Sequence, residues 1–369
     1  MKYYIIAGER SGDLHGGNLI NALRREDPDA VLRGFGGDEM KAAGMELYVH
    51  YEELAIMGFI ALISSLFKIM RYIAMAKRDI AQFQPDVIIL IDYGGFNRRI
   101  AKYGKGNGTR VFYYIPPKVW AWYQSRAWEL KRNVDRMFVI LPFEKNFYKK
   151  YDVEVDYVGS PVLEAVKAFV PNAAFSIGGQ AGASVVALLP GSRKLELKFV
   201  VPLMSEVARM NPQMHFVVAA IEYLPAELYQ PLRNLPNVSF VFNQTYDLLN
   251  SANAAIVTSG TATLETSLFK VPQVVVYKTG KLEFLVVSSL VRVPWISLVN
   301  LIADKPVVKE LIQKQATPEL VNDELQLLLR EGTHRQLILD EYDRIYNILD
   351  TGNASINAAK LMVQYLKKD

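Results

Sequence analysis

At 369 residues the chain is long enough for two domains. A hydrophobic share of 51% with 22% charged residues excludes intrinsic disorder, and 23 Gly with 17 Pro exclude collagen-like or low-complexity architecture. Cys is absent, which removes disulfide scaffolds, thiol nucleophiles, iron–sulfur clusters and Cys-ligated zinc, while 42 basic against 38 acidic residues leave a net +4, too mild to point to nucleic acid.

The opening MKYYIIAGERSGD passes from apolar residues to Gly and charge within a few positions and has no signal-peptide core, so a cytoplasmic chain is expected. Short β-rich runs then alternate with helical patterns. Strands are expected at Tyr3–Ala7, Ala30–Phe35, Val87–Asp92, Arg110–Ile115 and Met137–Leu141, between helical stretches such as Leu14–Arg25 and Phe59–Phe83. The alternation lapses at residues 170–183, where Gly, Pro, Ser and Asn collect. It resumes with strands at Val185–Leu189, His215–Ala219, Val238–Phe242, Ala254–Thr258 and Gln273–Tyr277. Helices alone follow, at Glu319–Arg330, Arg335–Leu349 and Ala354–Lys368. The expected class is α/β: two doubly wound, Rossmann-like domains, 1–170 and 171–349, facing each other across a cleft, with a last helix at 350–369 crossing back to the first.

Open α/β sheets bind ligands beyond the carboxyl ends of their strands, so those loops are the place to look for chemistry. The first is the Gly-rich turn 7–17, with Ser11, Gly12, Asp13 and His15; its glycines let backbone approach a ligand, or it is simply a tight turn. Its spacing matches neither a dinucleotide fingerprint nor a P-loop. The second ends the run Val87–Ile91, where Asp92 is either a general base at the rim of a cleft or a helix cap, with Asn97 close by. The third, Gly191-Ser192-Arg193, offers backbone donors and a forked cation to a phosphate. The fourth, Ser259-Gly260-Thr261-Ala262-Thr263, suits a diphosphate, with Glu265 placed either to accept from a ribose diol or to balance the helix dipole. Together they suggest a nucleotide-sugar held by one domain and an acceptor presented by the other.

Two further segments stand out. Residues 57–72, including Phe59, Ile63, Leu66 and Phe67, are too apolar for an ordinary surface helix, and Lys68 and Arg71 break the run before it could span a membrane. Interfacial docking on anionic lipid fits, as does a buried or oligomer-forming helix. In residues 116–126, Trp120 and Trp122 beside Lys118 are either an acyl- or sugar-binding surface or core. The lone Asp-x-Asp, Asp27-Pro28-Asp29, sits at a helix-to-strand turn and the four His lack ligand spacing, so neither metal nor cofactor is expected.

The segments AGERSGD (7–13), ELAIMGF (53–59), PDVIILIDYGGFN (85–97), PPKVWAW (116–122), LPFEKNFY (141–148), YVGSPV (157–162), LLPGSR (188–193), SGTATLE (259–265), LVNLIA (298–303) and VVKELIQ (307–313) together resemble the lipid-A-disaccharide synthase family. The resemblance implies an inverting GT-B glycosyltransferase that joins UDP-2,3-diacylglucosamine to 2,3-diacylglucosamine 1-phosphate at the cytoplasmic leaflet of the inner membrane. It implies Asp92 as the base, Arg193 and Asn300 on the donor diphosphate, and Glu265 or Glu310 and Gln313 on ribose or donor sugar. The family often has a second acidic residue three positions after Asp92, where this chain has Gly95. The rival readings are another GT-B enzyme, such as a UDP-N-acetylglucosamine 2-epimerase or a lipid-linked N-acetylglucosaminyltransferase, and a non-catalytic nucleotide-sugar-binding protein. Oligomeric state is left open.

Overall fold

A computed structural model describes residues 1–55, 62–177 and 182–368. The chain forms two compact units, Met1–Pro161 with Thr351–Asp369, and Val162–Asp350. The division falls ahead of the Gly- and Pro-rich stretch, at 161/162 instead of 170/171. The reason lies in Phe169, whose ring meets Tyr246 and Phe269 edge-on at 5.6 and 5.5 Å and so draws the preceding helix, Pro161–Ala168, into the second unit.

The first unit is built on a parallel sheet of β1 (Lys2–Ala7), β2 (Val31–Gly36), β3 (Glu46–His50), β4 (Val87–Ile91), β5 (Arg110–Tyr114), β6 (Arg136–Val139) and β7 (Asp156–Tyr157), in the order β3-β2-β1-β4-β5-β6-β7. Every residue of β4 is fully buried, as expected for a central strand covered by helices on both faces. The final helix, Ala354–Lys368, packs Ala358, Ala359, Met362 and Val363 into the same core as Tyr3, Ile5, Leu19 and Leu23. Asn357 ties it down by donating to the carbonyl of Val158 at 3.0 Å.

The second unit repeats the plan with β8 (Val185–Leu189), β9 (His215–Ala220), β10 (Val238–Phe242), β11 (Ala254–Thr258), β12 (Gln273–Tyr277) and β13 (Glu310–Ile312), parallel in the order β10-β9-β8-β11-β12-β13. In each sheet the winding reverses once, between β1 and β4 and between β8 and β11. Strands β3, β7 and β13 were not anticipated from sequence. Each lies at a sheet edge; β7 and β13 are only two and three residues long, and β3 (ELYVH) carries no unbroken apolar run.

Candidate active site

The register brings two of the predicted loops together in the first unit. Ala7 lies opposite Ile91, so the Gly-rich turn after β1 and the Asp92 turn after β4 leave the sheet side by side, at the point of reversal where α/β sheets bind ligands. Asp92 and Tyr93 both adopt left-handed backbone, with φ of 44° and 47°. Asp tolerates this conformation, but a bulky Tyr stores strain of order 1 kcal/mol there, which surrounding structure must hold. The Asp92 N–H donates to the carbonyls of Tyr114 (3.4 Å) and Ile115 (3.2 Å), and its carbonyl accepts from the Tyr113 hydroxyl (2.6 Å) and the Asn97 amide (2.9 Å). Glycines are required on either side. A Cβ on Gly8 would lie 2.3 Å from the Tyr93 ring, and one on Gly94 would lie 2.8 Å from Pro117.

The Asp92 backbone is thus fixed, and its half-buried carboxyl accepts from the Tyr93 backbone. Burial raises its pKa above the ordinary aspartate value, against the opposing pull of Lys118 and a hydrogen bond from the Tyr93 backbone. Lys118 is exposed on the loop after β5 and is a functional candidate in its own right.

Several expected site residues turn out to be structural. Asp13 is 3% exposed and accepts from the backbone N–H groups of Gly37 (2.7 Å), Glu39 (3.1 Å) and Met40 (3.1 Å), capping the helix Asp38–Ala42. Gly12 is buried with its Cβ position 3.3 Å from Ala7, so of the four residues expected to act in this turn Ser11 alone is fully exposed. Asn97 is fully buried beneath the turn it braces. His15 is half-buried, and desolvation lowers its pKa to about 4, which leaves the ring neutral at physiological pH. Trp120 belongs to the core: it is 5% exposed and donates through Nε1 to Glu144 at 3.1 Å. Burial pushes Glu144 up to about 7, although it also accepts from the Ile140 and Leu141 backbones. The exposed aromatics of this loop are instead Trp122 and Tyr123.

In the second unit Val257 lies opposite Leu189, which sets the Gly191-Ser192-Arg193 turn beside the Ser259–Thr263 turn at the other reversal point. Gly191 has φ of 97°, and a Cβ there would lie 2.5 Å from Glu196. Arg193 stands at the start of the helix Lys194–Met210 with 80% of its side chain exposed, held only by a 3.2 Å contact to Glu196. The Ser259 hydroxyl donates to the carbonyl of Ile296 (2.7 Å), and the Thr263 hydroxyl donates to Gly260 (2.8 Å) while accepting from Leu298 (3.2 Å). These two hydroxyls therefore hold the turn, and Gly260 and Thr261 remain exposed. Ala262 follows, partly buried, on the first turn of the helix. Glu265 is half-buried, its pKa raised by burial, and accepts from the Tyr246 hydroxyl at 2.9 Å. Nothing in the sequence singles out Tyr246.

Asn300 lies in the interior of the second unit. It is fully buried and makes all four hydrogen bonds its amide allows: donating to Val308 and Glu310 at 2.9 Å, accepting from Val307 at 2.8 Å and Val308 at 2.9 Å. Glu310 likewise accepts from the Ile296 and Ser297 backbones and the Ser297 hydroxyl, at 3.0, 2.9 and 2.7 Å. The pair clamps the loop 296–300 onto β13. Gln313, left-handed at φ of 52°, exchanges hydrogen bonds with the Thr279 backbone at 3.4 and 3.2 Å. That joins it to a fifth strand-end loop, Lys278-Thr279-Gly280, which repeats the strand–Gly–helix signal of the other four but was passed over in sequence.

Of the apolar segment, Phe59 lies outside the described residues. Ile63, Leu66 and Phe67 sit on the helix Leu62–Phe83, on which Lys68, Met70 and Arg71 are exposed. Among the described residues no helix is long and apolar enough to cross a membrane, and no three His, Asp or Glu side chains converge as metal ligands.

Residues 3–364 match the family described as lipid-A-disaccharide synthetase. A lipid-A-disaccharide synthase of Syntrophus aciditrophicus is 36% identical over 99% of this chain and 97% of its own. Among solved structures, a glycosyltransferase of kitacinnamycin superposes with a TM-score of 0.68 at 14% identity, covering 99% of both chains. The UDP-GlcNAc 2-epimerase of Neisseria meningitidis, bound to UDP-GlcNAc, does so with 0.62 at 14% identity, covering 100% of both.

Proposed function

The chain belongs to the lipid-A-disaccharide synthase family and has the GT-B glycosyltransferase fold, and from that premise we propose that it moves 2,3-diacylglucosamine from its UDP conjugate to 2,3-diacylglucosamine 1-phosphate. The observation that carries the reading is Asp92, a carboxyl with a raised pKa on a braced left-handed turn at the reversal point of the first sheet. In this reading Asp92 takes the proton of the acceptor 6-hydroxyl as that oxygen attacks the anomeric carbon of the donor. The bond from that carbon to the diphosphate breaks on the opposite face, configuration inverts, and UDP departs with both bonding electrons. Arg193 and the N–H groups of the Gly191 and Gly260 turns offset the charge that develops on the diphosphate, while Glu265 meets the ribose and Gln313 the donor sugar. Ser259, Thr263, Asn300 and Glu310 position these groups.

Mass spectrometry of products from purified protein and the two acylated substrates tests this. A disaccharide 1-phosphate with stoichiometric UDP is expected. Consumption of unacylated UDP-N-acetylglucosamine alone, or no product, would overturn it. Arg193→Ala should weaken UDP binding about 10- to 100-fold, the worth of a charge-assisted hydrogen bond; equal affinity in a titration would remove Arg193 from the donor site.

Both substrates carry hydrocarbon, which gives the apolar helix a purpose. In our reading the helix Leu62–Phe83 rests on the anionic cytoplasmic leaflet, with Lys68 and Arg71 meeting headgroups. Replacing Ile63, Leu66 and Phe67 by Gln should release the protein from phosphatidylglycerol vesicles in a sedimentation assay, and undiminished pelleting would refute the docking.

A further inference from the structure

Beyond β12 and β13 the second unit contains a cavity of about 830 Å³, within the range of small-molecule sites. It lies among the helix Lys194–Met210, the loop Lys278-Thr279-Gly280, the helix Lys281–Leu290 and the turn 312–317. Phe199, Phe284, Leu285 and Ile312 supply its apolar walls. Apart from the exposed Lys314, its polar side chains are already engaged. Lys278 donates to the carbonyl of Ala316 (3.1 Å), the Thr279 hydroxyl to Glu283 (2.7 Å) and the Gln313 amide to Thr279 (3.2 Å), while Thr317 accepts from Leu320 (3.3 Å). Beyond Gln313, which the transferase reading sets on the donor sugar, a sugar or nucleotide placed there would find few free partners for its hydroxyls, whereas a hydrocarbon would leave these bonds intact. Leu285, 65% exposed, lines the cavity beside the half-buried Phe284.

We propose that this cavity receives an acyl chain of the sugar donor, a site for hydrocarbon separate from the helix Leu62–Phe83. This rests on the transferase reading above. The choice of donor over acceptor follows from position. The helix that carries Phe199 begins at Arg193 and Glu196, and Tyr277, at the end of β12, feels the charges of both. The candidate diphosphate turn and the mouth of the cavity are therefore neighbours in one unit, and Gln313 lines the cavity wall. A sugar tethered to that diphosphate carries its acyl groups within reach of the opening.

The test uses the full chain and a UDP-diacylglucosamine whose acyl tails end in a diazirine. Irradiation should label peptides from 281–290 and 312–317; labelling confined to other segments, or equally strong labelling of these peptides by a diazirine-tailed vesicle phospholipid, overturns the assignment. Leu285→Gln changes an exposed residue and should fold, and Phe284→Ser gives a second variant. Each should lower kcat/KM for a long-chain donor about tenfold, the scale of a lost apolar contact, while UDP affinity and kcat/KM for a four-carbon donor stay within twofold. Equal losses on long and short chains would sink the proposal. If the parent protein makes no product from any acylated donor, the transferase reading falls, and the labelling pattern still decides whether the cavity takes the chain.

Discussion

Asp92→Asn should lower kcat by about 10³-fold, within the range of a lost general base, while leaving the affinity for UDP within twofold. The substitution is a clean probe because Asn adopts left-handed backbone about as readily as Asp. The turn at φ of 44° should therefore survive, with Tyr113 and Asn97 still holding the residue's carbonyl. Asp92→Ala adds backbone strain to the chemical loss and is the poorer control. Steady-state kinetics with both acylated substrates, beside a UDP titration, measure the two effects separately. Unchanged kcat would remove Asp92 from the mechanism.

The same carboxyl sets the direction of the pH profile. Only the ionised form accepts a proton, so kcat/KM should fall on acidification, with a midpoint above the ordinary aspartate value because burial raises this pKa. Lys118 pulls the other way; Lys118→Ala should therefore move the acidic limb to higher pH. Stability follows the opposite course. A carboxyl whose pKa rises on folding binds more protons in the native state, so its contribution to stability falls as pH climbs above 3.8 toward the raised value. At neutral pH the Asp92→Asn chain should be at least as stable as the parent, the signature of a group kept for chemistry at the expense of the fold.

Interior strands were legible because burial on both faces writes an unbroken apolar run, as in β4 and β11. The edge strands β3, β7 and β13 pair on one side only and carry no such run. The placing of the candidate loops was legible to a similar depth. Topology puts chemistry at strand ends, and the Asp92, Arg193 and Ser259–Thr263 loops do adjoin at the two reversal points. Sequence does not reveal which polar side chains are already committed. Asp13 finds its partners 24 to 27 positions away, Trp120 finds Glu144 24 positions away, and Asn300 meets Glu310 across a loop. Each is the type of residue that binds ligands. Only the tertiary partner decides that it holds a loop instead.

Glu310 makes that distinction measurable. Its carboxylate takes the backbone N–H groups of Ile296 and Ser297, the Ser297 hydroxyl and the Asn300 amide. The loop it clamps in turn meets the candidate diphosphate turn, through Ser259 to Ile296 and Leu298 to Thr263. Glu310→Ala leaves several of these donors without a partner and should destabilise the second unit by about 3 kcal/mol. UDP affinity should drop about tenfold as the Ser259–Thr263 turn loosens, although Glu310 touches no ligand in this reading. Because two units need not unfold together, denaturant titration should be followed by a probe in the second, such as Trp295. Asn300→Ala should produce much of the same loss, and the double variant should cost far less than the sum, since both belong to one network. A residue that only contacted the donor sugar would behave otherwise: Glu310→Ala would then weaken UDP-sugar binding, leave UDP affinity and unfolding unchanged, and add independently to Asn300→Ala.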